Sequence, residues 1–188
     1  MVRLFFALWP DESQREALAA ATRAAVQVSD GRAVPSANLH VTLAFLGAVP
    51  EERVASVAGL GRQLASKLAP GGLASPGREL TLSFEQIEHW KKAQVLCAVA
   101  AEPVVAARAL AAVLAQDLTA SGFLPDLKPF RPHVTVARKV RSGPATEAIA
   151  KVSWSFTQFA LMQSRTLPRG PEYSVVESFV LDNRHTHD

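Results

Sequence analysis

Apolar and polar positions recur along the chain with two periods, and the points where one period replaces the other mark its elements. The run RLFFALW, Arg3 to Trp9, reads as a first strand. Pro10-Asp11-Glu12 then supplies a helix start with acids in the first turn, and Ala17, Leu18, Ala21, Ala25 and Val28 follow at helical spacing until Asp30-Gly31. A turn at Pro35, Ser36 and Asn38 leads into LHVTLAFLG. Its period of two puts His40, Thr42 and Ala44 on one face and Val41, Leu43 and Phe45 on the other, core-facing side. Pro50-Glu51-Glu52 opens a second helix with Val54, Val57, Gly61, Leu64 and Leu68 as its apolar stripe, and Pro70-Gly71-Gly72 ends it.

The second half repeats these signals. Leu80 to His89 and Ala93 to Ala100 read as two strands of a hairpin joined at Trp90-Lys91-Lys92. Pro103 stands in the first turn of a third helix buried through Val104, Ala107, Leu110, Ala111, Leu114 and Leu118 and closed by Ser121-Gly122. FLPDLKPFRP leads into HVTVARKV, and two further strands, Trp154 to Gln163 and Tyr173 to Leu181, flank the loop RTLPRGPE. The order β-α-β-α-β-β-α-β-β-β predicts an α+β fold with mostly antiparallel sheet. Each half places a helix with a capped start, a polar turn and then HVT, so two pseudo-symmetric lobes with flanking helices around a central cleft are expected.

Composition narrows the class. With 188 residues, 48% of them apolar and 20% charged, the chain has what a folded domain requires, and one two-lobed domain over 1–188 is expected. The single cysteine, Cys97 in QVLCAV, excludes an intrachain disulfide and a cysteine-built metal cluster. It reads as a buried small hydrophobe in a reducing compartment. The first twelve residues lack the pattern of a signal peptide. The uncharged run from Ala33 to Pro50 is interrupted by Pro35, Ser36, Asn38, His40 and Thr42, so no membrane span is expected and a cytoplasmic protein is. The net charge of +3 says little by itself, but Lys128, Arg131, Arg138, Lys139 and Arg141 fall between Leu127 and Gly143 with no acid, and Arg165 and Arg169 follow in QSRTLPRG.

The candidate chemistry lies in the two HVT segments, at His40 and His133. Imidazoles titrate near pH 6.5, so two beside one substrate can hold opposite protonation states, one accepting a proton while the other donates. A threonine two residues on shares the strand face, where its hydroxyl can donate to a charged oxygen. Two such pairs make a four-pronged cradle for a tetrahedral anion such as phosphate, suited to in-line displacement at phosphorus without a metal. A single H-x-T in a strand is a weak signal, whereas two copies in matching aliphatic context are a strong one.

With both H-x-T-x tetrads, His40 to Leu43 and His133 to Val136, the sequence resembles the 2H phosphoesterases, and in particular their bacterial RNA 2',3'-cyclic phosphodiesterase branch, also described as 2'-5' RNA ligase. RLFFALWP, NLHVTLAFLG, GFLPDLKPFRPHVTVAR and LMQSRTLPRGPEYSVVESFVL carry the likeness over nearly the whole chain. Phe179 stands where the pattern more often has tryptophan. The resemblance implies that His40 protonates the leaving ribose oxygen, His133 activates water, and Thr42 and Thr135 hold the phosphate. It also implies RNA with a 2',3'-cyclic end, or a small cyclic nucleotide, as substrate and a 2'-phosphomonoester as product. No cofactor or metal is called for, and a monomer is the default. Arg131, two residues before His133, and Arg165 are candidates for gripping substrate, with Arg169 beside the latter. Arg138 is off phase with His133 and is expected to face elsewhere. His89 reads as structural or exposed, and His185 and His187 as solvated tail. Two alternatives stay open: a module that only binds RNA ends, and a 2'-5' ligase acting on tRNA halves.

Overall fold

In the computed structural model, which describes residues 1–68, 80–126, 129–167 and 170–181, nine strands build two sheets in which every pairing is antiparallel. The chain runs β1 (Val2–Leu8), α1 (Glu12–Val28), β2 (Arg32–Ala33), β3 (Val41–Val49), α2 (Val54–Leu68), β4 (Leu80–Trp90), β5 (Val95–Ala100), α3 (Val105–Ala120), β6 (His133–Arg138), β7 (Thr146–Phe156), β8 (Gln158–Leu167) and β9 (Gly170–Val180). One sheet has the order β3-β1-β8-β9 and the other β2-β6-β5-β4-β7. Without the two-residue β2 the orders correspond strand for strand. β3 and β6 carry the HVT segments, and each pairs with the strand that precedes the intervening helix. The expected pseudo-symmetric α+β architecture is therefore present, and β3 and β6 approach each other across the sheets.

The helices are exchanged between the sheets. α1 leaves β1 of the first sheet and packs on β6 and β7 of the second, while α3 leaves β5 of the second and packs on β3 of the first. Asp11 starts α1 by accepting the Gln14 amide at 2.8 Å, and Gln14 returns a side-chain acceptor to the Asp11 amide at 3.2 Å, a reciprocal capping box. The helix is fastened to β7 by the Trp154 indole, which donates to the Gln14 carbonyl at 2.8 Å. α3 ends in a Schellman turn. Gly122, at φ +76°, lets its own amide reach the Thr119 carbonyl and the Phe123 amide reach that of Leu118, both at 3.0 Å.

Several expectations need correction. The run Trp154 to Gln163 is two strands in different sheets: Trp154 and Phe156 end β7, and after Thr157 the chain enters β8. Both pieces are apolar because both sheets face one core, so hydropathy carried no mark of the crossing. The loop RTLPRGPE is largely strand, with Arg165 opposite Glu172 and Leu167 opposite Gly170, while Pro168 and Arg169 lie outside the described residues, as do Pro70-Gly71-Gly72, Lys128, His185 and His187. Pro103 precedes α3, whose N-cap is Val104. The buried face of α1 is Leu18, Thr22 and Ala25. Ala17 and Val28 are exposed, and Thr22 is tolerated inside because its hydroxyl donates to the Leu18 carbonyl at 2.8 Å. The stripe of α3 is buried as expected.

β1 is buried on both faces. Leu4, Phe6 and Leu8 enter the main core beneath the helices, whereas Phe5 and Ala7 join Ala160 and Met162 in a smaller cluster on the cleft side, with Trp9 and Tyr173 against it. On the core side α2 approaches β9 closely at Gly61, where a Cβ would fall 2.4 Å from the ring of Phe179, itself 3% exposed. Phe179 belongs to this packing and lies on the face of the sheet opposite the cleft-side cluster. Gly61→Ala is therefore expected to destabilise the fold by about 1–3 kcal/mol through overpacking. Denaturant unfolding would show this as a lowered midpoint with an unchanged slope.

Candidate active site

Each HVT segment contains an extra residue at the same place. Along β1, Ala7 pairs with Thr42 and Phe6 with Ala44, leaving Leu43 unmatched; along β5, Cys97 pairs with Thr135 and Leu96 with Ala137, leaving Val136 unmatched. Both are the fourth residue of the motif, and each bulge reverses the alternation beyond it. Phe45, expected in the core, is instead 39% exposed, and Arg138, expected to face elsewhere, lines the same cavity as His133 and Thr135. A strict period of two could not reveal this. The signal available in the sequence was the parallel wording HVTLAF and HVTVAR, which places Phe45 and Arg138 at equivalent positions.

The cavity between the sheets has a volume of about 340 Å³ and is lined by both histidines and both threonines. Arg138, Arg32 and Lys139 also line it, with no acid among the described lining residues. Arg32 and Arg138 are direct cross-strand partners. Like charges placed so are destabilising by themselves, which an anion between them would offset.

Both rings are oriented by the same device. His40 Nδ1 lies 2.7 Å from the Asn38 carbonyl and His133 Nδ1 lies 2.8 Å from the Arg131 carbonyl, each two residues upstream. A carbonyl only accepts, so each Nδ1 is the protonated nitrogen and each Nε2 keeps its lone pair for the cavity. The surroundings of the two rings differ. His40 is stacked by Trp9 at 5.3 Å and boxed by Phe5 at 5.1 Å and Tyr173 at 5.2 Å. His133 packs against Trp90 at 4.4 Å. Burial, with the charges of Arg138 and His133 in support, lowers the His40 pKa to about 4 against the opposing hydrogen bond to Asn38. His133 is lowered by burial and by Arg131 and Arg138.

Arg131 reaches Glu88 with two hydrogen bonds and lies over Trp90 at 5.7 Å. Glu88, held below the usual carboxylate range first by Arg131, also accepts from the Trp90 indole at 3.0 Å. The Arg131 side chain thus braces the ring that packs on His133, and its carbonyl orients that histidine. The structure does not bring Arg165 to the histidines: it is exposed on β8 and lines a separate surface groove with Arg3 and Glu51. His89 donates to the Val140 carbonyl at 3.1 Å. Cys97 is buried behind Thr135, Sγ to Oγ1 4.0 Å, and burial pushes its thiol up to about 12. Among the described residues no group of three or more His, Cys, Asp or Glu is placed to hold a metal ion, and no helix is long and apolar enough to cross a membrane.

Two imidazoles, each with Nδ1 committed to a backbone carbonyl, thus line one cationic cavity between pseudo-symmetric sheets. The family model for the 2'-5' RNA ligase superfamily matches residues 9–166, and the chain belongs to that family. An RNA 2',3'-cyclic phosphodiesterase of Thermus thermophilus is 32% identical over 187 residues, covering 98% of this chain and 92% of that protein. One of Escherichia coli is 29% identical, covering 95% and 96%. Among solved structures, Escherichia coli LigT complexed with 3'-AMP superposes with a TM-score of 0.79 at 25% identity, covering 95% of this chain and 97% of that one.

The burial of neutral histidines has a consequence for stability. A group whose folded pKa lies below its unfolded value stabilises the fold fully above the unfolded pKa, and the contribution is lost as pH falls toward the folded one. For His40 that window runs from about 6.5 to about 4 and is worth on the order of 3 kcal/mol. Denaturant midpoints should fall across it, and less steeply in His40→Gln, which retains a donor for the Asn38 carbonyl without the titration.

Proposed function

We propose that this chain hydrolyses RNA 2',3'-cyclic phosphodiester ends to 2'-phosphomonoesters, with the two lobes acting as one catalytic unit. The observation that carries the reading is the shared cavity in which two Nε2 lone pairs, two threonine hydroxyls and Arg138 converge. The relatives named RNA 2',3'-cyclic phosphodiesterase support it.

In the proposed reaction the threonine hydroxyls of Thr42 and Thr135 and the Arg138 guanidinium hold the non-bridging oxygens. His133 Nε2 removes a proton from water as its oxygen bonds to phosphorus. The bond from phosphorus to O3' breaks on the opposite side, and His40 Nε2 gives its proton to that oxygen. In the empty site both rings are neutral at pH 7. The bound phosphate supplies the negative charge that favours protonation, so substrate binding and proton uptake by His40 are coupled. The aromatic box around His40 excludes water from the ring and strengthens that coupling.

Turnover of a nucleoside 2',3'-cyclic phosphate in a chelating buffer, with chromatographic separation of 2'- from 3'-phosphate, tests this. The 2'-isomer is expected alone. His40→Ala and His133→Ala should each lower kcat/KM by about 10²–10⁴-fold; full activity in either, or RNA affinity without turnover, would refute hydrolysis by this pair. Arg138→Ala should lower it by about 10²-fold, as loss of one donor to a developing oxyanion does, whereas Arg165→Ala should leave it within about twofold because that side chain lies in another groove.

The pH profile is a separate check. The protonated fraction of His40 falls tenfold per pH unit above its depressed pKa, so kcat/KM should already decline with rising pH below about 6.5, the ordinary imidazole value. A rate that climbs through neutrality would contradict the assigned proton donor.

A further inference from the structure

Thr42 and His133 line a second space besides the phosphate cavity, a groove of about 910 Å³ between β3, the β4–β5 turn and α3. The two spaces differ in chemistry although they share Thr42 and His133. The sixth motif residue is Arg138 in the cavity and Phe45 in the groove. Phe45 is joined there by Trp90 and Phe130, and the alanines of α3, Ala111, Ala112 and Ala115, form an apolar wall. Cations border this surface at the turn, Lys91 and Lys92. Arg108 and Arg131 also line the groove but are engaged by Glu102 and Glu88. Both lysines are exposed, and among the described residues neither makes an ion pair. Asp126 is the acid on the lining.

Aromatic faces beside unengaged cations, in a groove continuous with a phosphate site, are what a single-stranded nucleic acid recognises: bases stack on the rings and phosphates meet the cations. The turn is held in place for this role. The Ala93 amide donates to the Trp90 carbonyl at 3.1 Å, the Gln94 amide to that of Lys91 at 3.2 Å, and the Val140 amide to that of Gln94 at 2.9 Å.

We propose that this groove holds the RNA chain leading to the cyclic end, with Lys91 and Lys92 gripping its backbone phosphates, so that the enzyme prefers strand ends to free cyclic nucleotides. The inference rests on the hydrolase reading above and adds a substrate-length preference to it. The cavity with its three cations is matched to the reacting phosphate, and the groove to the polymer behind it.

The test compares kcat/KM for a six-residue single-stranded RNA ending in a 2',3'-cyclic phosphate with that for the corresponding cyclic mononucleotide. The wild type should favour the oligomer by about tenfold or more, and the preference should weaken with salt by a log–log slope of roughly 1.4, as two phosphate contacts to a single strand give. K91A/K92A should remove most of that preference while mononucleotide turnover persists, and K91E/K92E should invert it. Equal rates on the two substrates in the wild type, or equal losses on both in the variants, would overturn the proposal. Equilibrium binding of the same oligomer ending in a 2'-phosphate, against the nucleoside 2'-phosphate, reads the same preference without catalysis. If the mononucleotide is not turned over, the hydrolase reading fails and this arm still decides whether the groove binds the chain.

Discussion

An unmatched residue at the same motif position in each of two strands sets the composition of the site. Leu43 and Val136 interrupt the pairing of β3 with β1 and of β6 with β5 at the same point of the motif. Without the interruption the sixth residue would turn into the core, where an arginine would be intolerable without a partner. With it, His133, Thr135 and Arg138 address one cavity, and the equivalent residue of β3 addresses the neighbouring groove. The local backbone irregularity is repeated, while the side chain it delivers is not, and the asymmetry of a twofold-related scaffold starts there.

The imidazoles show a similar division between shared device and private surroundings. Each donates through Nδ1 to the carbonyl two residues before it, so the tautomer is fixed by backbone geometry that the H-x-T context itself supplies. The pressures around the rings then diverge. Three aromatic side chains enclose His40, whereas His133 rests on one indole that is held by Glu88 and Arg131. Burial and the cations nearby favour the neutral form of both rings.

Much of this was legible in the residues, and the parts that were not share a cause. The histidine and threonine pairs, the α+β class, the hairpin at Trp90-Lys91-Lys92 and the buried face of α3 follow from spacing and capping. What failed were inferences that extrapolated a local period through an irregularity: Phe45 and Arg138 beyond the bulges, and Trp154 to Gln163 across the change of sheet at Thr157. The aromatic box was invisible for a different reason. Phe5, Trp9 and Tyr173 come from opposite ends of the chain, and only the pairing of β1 with β8 and of β8 with β9 assembles them over His40. Arg131 illustrates a third limit, since its nearness to His133 in sequence was real while its engagement with Glu88, forty-three positions away, was not visible.

The exchange of helices between the sheets bears on how the molecule can move. α1 and α3 each originate in one sheet and cover the other, so drawing the sheets apart would peel a helix from each and bare two apolar faces together. Such a clasp resists the hinge-like opening by which many two-lobed enzymes admit and release ligands. The cleft between the sheets is accordingly a gauge of fixed width.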